Sequence, residues 1–319
     1  MAPLPDTLPT PRIRIVRNAL VLPADDTPQS AHGVYDRAGG FAPLSQTRMS
    51  RDRISGVPDW AKATDHLPGT HLYAGLGRRH FGHFLIETMA RIWALERSDR
   101  KVDGVVAPEL PGSNLQWALL RHLRPVSDRL CDGLPVLAIV EPTRVERLML
   151  PTQGFGHGPW ITGTPEFRSY IKARFADVRP NGPERLYLTR NRLTAESKQV
   201  DQEDAIEAMM ADAGYEIFAP EAHSFEDQCA RLKAARFVVG ADGSAFHLAP
   251  FLLQPGARAA IYLRRNRPEM LTLLGAQMQA FAGIKPALID PLVQPYSQVA
   301  PSPLDLARLK VGLSDHGML

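Results

Sequence analysis

The chain has 319 residues, 44% hydrophobic and 22% charged, with a formal net charge of +3. That length suits two domains or one large one with a sizeable core, and the charge is too small to signal nucleic acid as a partner. The two cysteines, Cys131 and Cys229, make neither a disulfide framework nor a zinc cluster, and the excess of Arg over Lys, 30 to 7, follows from GC-rich coding without invoking an anionic ligand.

The start, MAPLPDTLPTPRIRIV, has no basic segment followed by an apolar run, so no secretory signal is expected. No apolar stretch reaches the ~18 residues of a spanning helix, and a cytoplasmic setting is expected. Prolines are scattered through residues 1–70, where only Ile13–Val16 reads as a strand. Order begins at a strand over His71–Ala74. A glycine-bearing loop (Gly75, Gly77) follows, then a helix over Phe81–Arg97. Strands at Val102–Ala107, Pro135–Val140 and Arg144–Leu150 and a helix at Asn114–Leu123 come next. Gly154–Gly163 is a glycine-rich loop, and Pro165 opens a helix to Phe175.

Asp177-Val-Arg-Pro-Asn-Gly-Pro-Glu184 is the best linker in the chain. It divides an α/β domain over 1–176 from a second over 185–300, with a helical tail over 301–319. The second half reads strand Leu186–Thr189, helix Gln202–Ala213, strand Tyr215–Ala219, a helix opened by Ser224 and Asp227, strand Phe237–Gly240, helix Ser244–Leu253 and strand Arg258–Leu263. Such βαβαβαβ order predicts a parallel sheet with its site at the strands' C-terminal edge. A short tail helix is expected near Leu304–Leu313.

Four places could carry chemistry. His83, Glu87 and Arg91 are spaced four apart and form a polar stripe beside an apolar helix face. A carboxylate beside a histidine can serve as a general base. Spacing alone favours the plainer reading, an ordinary Glu87–Arg91 ion pair with a solvated histidine. His80 and His83 lack the HExxH pattern, so no metal is expected. Arg190-Asn-Arg192 directly follows a strand, where Arg can clamp phosphate or sit in a solvated loop. Gly240-Ala-Asp-Gly-Ser244 joins a strand to a helix, with glycines for close approach and helix N–H groups that favour an anion. It is also a plain structural turn, and it matches neither the dinucleotide fingerprint nor a nucleophile elbow. Pro220-Glu-Ala-His-Ser224 ends another strand; Glu221 could hold ribose hydroxyls, and His223 reads as a surface residue. His157, between Gly156 and Gly158, reads as an exposed loop residue.

In order and spacing these pieces resemble glycosyltransferase family 61. The family's C-terminal motifs correspond to Tyr187-Leu-Thr-Arg190, Pro220-Glu-Ala-His-Ser-Phe-Glu-Asp-Gln228 and Ala235-Arg-Phe-Val-Val-Gly-Ala-Asp-Gly-Ser244. Its looser N-terminal signature corresponds to His83-Phe-Leu-Ile-Glu-Thr-Met-Ala-Arg-Ile-Trp93. The resemblance runs from about His71 to Leu263. It implies a GT-B-like fold, two Rossmann-like domains facing a cleft, and an inverting glycosyltransferase that needs no metal or cofactor. The nucleotide-sugar donor would meet Arg190, Arg192, Glu221, Gly240, Gly243, Ser244 and His247. Glu87, His83 and Asp242 would be catalytic, and Arg91 and His157 would lie on the acceptor side.

The chain departs from the family where Asp242 replaces a histidine; the resemblance then implies that Asp242 faces sugar or ribose hydroxyls, or a histidine, and that His247 supplies the lost imidazole. A glycan or lipid-linked glycan acceptor is implied, the latter placing the protein at the inner membrane's face. Bacterial surface polysaccharide synthesis, capsule included, is the implied setting. The rivals are a non-catalytic nucleotide-sugar or glycan-binding protein on the same scaffold and a nucleotide-sugar epimerase, which the missing dinucleotide fingerprint disfavours.

Overall fold

A computed structural model describes residues 8, 10–24, 32–47 and 63–319. The chain divides into two compact units, Met1–Arg174 and Phe175–Leu319.

The first unit holds one curled, six-stranded sheet: β1 (Ile13–Leu22), β2 (Gly33–Tyr35), β3 (Asp65–Tyr73), β4 (Gly104–Pro108), β5 (Val136–Ile139) and β6 (Thr143–Pro151), in the order β2-β1-β6-β3-β4-β5. The strands β3 to β6 are parallel. This unit departs from a plain Rossmann-like sheet through β1, which runs antiparallel to both β2 and β6. From β3 the chain steps outward to β4 and β5, then returns to lay β6 on the other side of β3. The crevice at such a reversal is where open α/β sheets take ligands. Buried Leu72, Tyr73, Val105, Val106, Leu148 and Leu150 give the central strands the continuous apolar runs of a sheet covered on both faces.

The helix expected over Phe81–Arg97 is broken. A short α1 (Phe81–His83) passes into a π turn over Phe84–Thr88, and a 3₁₀ turn follows over Ile92–Arg97. The wide turn is closed by Met89 N–H donating to the Phe84 carbonyl at 3.0 Å, five residues back rather than four. Gly75, with φ +152°, lies so close that a Cβ there would overlap the Glu87 carbonyl oxygen. Thr88 Oγ1 ties the same turn to the Leu76 carbonyl at 2.8 Å. The helix expected over Asn114–Leu123 is also two pieces, α2 (Leu115–Leu119) and α3 (Arg124–Leu130), the second restarting with Pro125 in its first turn. The unit closes with α4 (Pro165–Arg174).

The second unit is a five-stranded parallel sheet of β7 (Arg185–Leu188), β8 (Glu216–Phe218), β9 (Phe237–Ala241), β10 (Arg258–Tyr262) and β11 (Ala287–Ile289), ordered β11-β10-β9-β7-β8. Its helices are α5 (Glu203–Asp212), α6 (Phe225–Ala234), α7 (Ala245–Leu252), α8 (Pro268–Ala282) and α9 (Leu306–Asp315). The strand order reverses between β7 and β9, which sets the ligand crevice there. Ser224 caps α6 by accepting from Asp227 N–H at 3.0 Å, a contact worth about 1 kcal/mol. The tail belongs to this core: Leu309 and Leu313 of α9 are fully buried with Tyr187, Tyr262 and Ile289. Among the described residues no helix is long and apolar enough to cross a membrane.

Candidate active site

In the first unit the segments that leave β3 and β6 meet above the strand-order reversal. The β3 loop enters α1 and the π turn, which present His83 and Glu87. The β6 loop carries His157. Glu87 is fully buried. Its Oε1 lies 2.6 Å from His83 Nδ1 and 2.6 Å from His157 Nε2, and its Oε2 lies 2.9 Å from Arg78 Nε. An exposed loop position was expected for His157, but its side chain is only 18% accessible because Glu87 holds it.

Burial alone would raise the Glu87 carboxyl. Hydrogen bonds from His157 and His83, with the charges of His83 and Arg78, outweigh burial and hold it well below the usual carboxylate range. An ionised carboxylate only accepts, so His83 Nδ1 and His157 Nε2 must both carry protons. In its neutral form His83, with Nδ1–H turned to Glu87, has Nε2 free to accept a proton on a side chain 44% accessible. A buried carboxylate that orients a histidine whose far nitrogen can take a proton is a general-base arrangement. Glu87 itself, fully buried and strongly acidic, is a poor base.

The folded Glu87 pKa lies below the 4.5 of an unperturbed glutamate, so its contribution to stability is complete above about pH 4.5 and is lost as pH falls from there towards the folded value. Thermal melts between neutral and acid pH are expected to show a shallower acid-side decline for Glu87→Gln than for wild type, with the variant less stable by about 1.5–3 kcal/mol at neutral pH. Identical acid slopes would contradict the charge assignment.

His83, Glu87 and His157 also have ligand atoms within 4.8 Å of one another, a donor set that could hold a cation. Two atoms bound to one tetrahedral zinc must stay roughly 3.4 Å apart, given ~2.1 Å bonds. The 2.6 Å separations here are those of charge-assisted hydrogen bonds, and Arg78 already places a cation on the second carboxylate oxygen.

In the second unit the loops after β7 and β10 bring arginines to the turn that follows β9. Arg190 follows β7, and a Cβ on Gly243 would overlap its Nη1. Its Nε donates to the Lys198 carbonyl at 2.6 Å, and its backbone N–H donates to buried Glu203 at 2.8 Å. Glu203 also accepts from Tyr187 and Thr189, each at 3.2 Å. Arg264, 5% accessible, follows β10: its backbone N–H donates to Asp242 Oδ1 at 2.9 Å and its Nε to the Asp242 carbonyl at 3.0 Å. Arg190 and Arg264 therefore flank the Asp242–Gly243 turn. Burial and then the neighbouring charge of Arg190 push Arg264 down to about 10, so it stays a cation at neutral pH. Arg265 Nε is buried and has no hydrogen-bond partner among the described residues; such an orphaned donor marks a place for an acceptor.

The sequence profile of glycosyltransferase 61 matches residues 81–260, more than half of the chain. The chain belongs to the glycosyltransferase 61 family. A comparison with curated proteins gives no match. Membership makes the chain a glycosyltransferase, with a glycosyl donor and a glycan acceptor in general terms. The glycosyltransferase 61 segment begins at α1 and ends inside β10, so it contains His83, Glu87, His157, Arg190 and Asp242 but stops short of Arg264, Arg265 and Arg267.

Within this glycosyltransferase 61 chain several expected site residues stand elsewhere. Arg91, expected on the acceptor side, is fully buried and donates to the carbonyls of Leu44, Gln46 and Pro151 and to Thr47 Oγ1. The π turn adds a residue to the helical repeat and swings Arg91 off the His83–Glu87 stripe into the core. Asp242, expected to face substrate hydroxyls, is 2% accessible and turned to Arg264. His247 is buried against α8, its Nδ1 2.7 Å from Gln277 Oε1, and offers no replacement imidazole at the turn. Gly240 is a packing glycine, where a Cβ would come 3.0 Å from the Leu188 carbonyl. Ser244 is exposed at the start of α7, and Arg192 and Glu221 are exposed on the loops after β7 and β8.

Sequence reasoning missed Arg78, Arg264 and Arg265. The rule that singled out Arg190, an arginine just past a strand of the parallel sheet, applies equally to Arg264. His223, read as a plain surface residue, packs against Phe218 with ring centroids 4.4 Å apart and the rings tilted by 37°. It also lines a cavity of about 270 Å³ with Thr189, Asn191, Arg192 and Glu207.

Proposed function

We propose that the chain is an inverting, metal-independent glycosyltransferase that moves a sugar from a nucleoside-diphosphate donor to a glycan hydroxyl. His83 Nε2 takes the proton as the acceptor oxygen bonds to the anomeric carbon and the bond from that carbon to the diphosphate oxygen breaks. Glu87 holds the imidazole in the required tautomer and stabilises the imidazolium that forms. The diphosphate leaves onto Arg190, Arg264 and Arg265, beside the positive end of the α7 dipole. Arg192 and Glu221 supply further donor contacts. Asp242 acts on the donor through Arg264, not through sugar hydroxyls. A bacterial surface polysaccharide, built on a glycan or lipid-linked acceptor at the cytoplasmic face of the membrane, completes the reading.

The observation that carries it is the fully buried, ionised Glu87 orienting a half-accessible His83. Nucleotide binding tests the donor half. A nucleoside diphosphate at about 100 times its Kd is expected to stabilise the fold by about 2.7 kcal/mol, and the matching monophosphate by less. Failure of every nucleoside diphosphate to shift the melting temperature would remove the donor site.

A further inference from the structure

We infer that α2 and the turn behind it form a docking surface for an anionic lipid bilayer. The inference uses the first unit alone and stands whether or not the proposed transfer mechanism does. Leu115, Ala118 and Leu119 of α2 are buried, while Trp117 and Leu120, 51% and 71% accessible, stand out on the opposite side. Their spacing of three places them on one helix face.

Polar and basic side chains stand around this apolar pair. The Arg121 guanidinium lies 4.8 Å from the Trp117 ring centre and His122 lies 6.0 Å from it. Arg124 and Arg79 are exposed. Asp128 offsets Arg124, with which it pairs at 3.6 Å, and Glu109 accepts from Gln116 N–H at 3.3 Å, so the cations left to meet a headgroup are Arg79 and Arg121. Arg79 and Arg121 have no carboxylate partner among the described residues.

A tryptophan with arginines around it suits the headgroup boundary, where the indole sits among the acyl carbonyls and the guanidiniums reach anionic headgroups. Two protruding apolar side chains are far short of the ~800 Å² per partner that a stable protein interface needs. A second copy would set arginines against arginines across a two-fold axis.

The surface is joined to the catalytic loop. His122 Nε2 donates to the Arg79 carbonyl at 3.3 Å, Arg79 N–H donates to Ser113 Oγ at 3.2 Å, and Ser113 Oγ donates to the Gly77 carbonyl at 3.0 Å. That loop runs straight into α1 and His83. An acceptor carried on a lipid would then arrive from the surface on which the protein rests.

Co-sedimentation of the full chain with phosphatidylcholine vesicles, with and without about 30% phosphatidylglycerol, tests this. Wild type is expected to bind the anionic vesicles and to lose binding on pure phosphatidylcholine. Trp117→Ser combined with Leu120→Ser should weaken binding at least tenfold, and Arg121→Ala about fivefold. Far-UV circular dichroism and nucleotide affinity should be unchanged in each variant. Three outcomes overturn the inference: no binding of wild type to anionic vesicles, binding of the double variant as tight as wild type, or self-association of wild type that the double variant abolishes.

Discussion

His83→Asn is expected to lower the rate of glycosyl transfer by about 10²- to 10⁴-fold, the range contributed by a positioned general base, while nucleoside-diphosphate affinity stays within twofold. Asparagine keeps a polar side chain near Glu87 but has no nitrogen able to take a proton. The position is half accessible, so the fold should survive. Glu87→Gln should behave differently. It removes the acceptor that both histidines share, so activity falls because the imidazole loses its tautomer and orientation, and stability falls with it. Full transfer activity in His83→Asn would show that the proton goes elsewhere.

Arg190→Ala is expected to weaken nucleoside-diphosphate binding about 10- to 150-fold, the equivalent of 1.5–3 kcal/mol for a hydrogen bond to a charged group. The matching monophosphate should lose less, since one anionic group fewer is left unpaired. Calorimetric titration of both ligands gives the ratio. Arg265→Ala should show the same ligand dependence. Arg264→Ala is a poorer probe, because it also removes the guanidinium 3.8 Å from the buried Asp242 carboxylate, which keeps only the backbone N–H of residue 264, and so lowers stability along with binding. Equal loss for diphosphate and monophosphate in Arg190→Ala would place Arg190 away from the diphosphate.

These expectations rest on features that the sequence revealed unevenly. The second unit was legible because its strands and helices alternate with clear punctuation: Gly214 after α5, the Ser224 cap before α6, Pro255-Gly256 before β10. Two of its elements were overlooked, α8 and β11, although Pro268 opens α8, Gly283 at φ +69° closes it, and Leu271, Leu274 and Met278 recur at helical spacing between them. The arginines just past β10 were overlooked with them.

The first unit was harder because its decisive features are non-local. A regular helix carries residues 83, 87 and 91 on one face, and nothing in the local spacing discloses a π turn. The turn is accommodated by Gly75, whose missing side chain leaves room for the Glu87 carbonyl from a different segment. His157 reaches Glu87 across 70 residues of sequence, so only the neighbouring positions of β3 and β6 in the sheet bring them together. The fate of Asp242 is of the same kind: the turn is visible in the sequence, but its partner Arg264 sits one strand further on.

The most direct test of the central claim is turnover of nucleotide-sugar donors with a glycan acceptor panel, comparing wild type with His83→Asn and measuring the nucleoside diphosphate released. The account predicts that wild type releases nucleoside diphosphate from at least one donor in an acceptor-dependent manner, and that His83→Asn binds the same donor but releases at least 100-fold less. A wild-type protein that binds a nucleotide-sugar and transfers none of it, or a His83→Asn variant that transfers as fast as wild type, would contradict it.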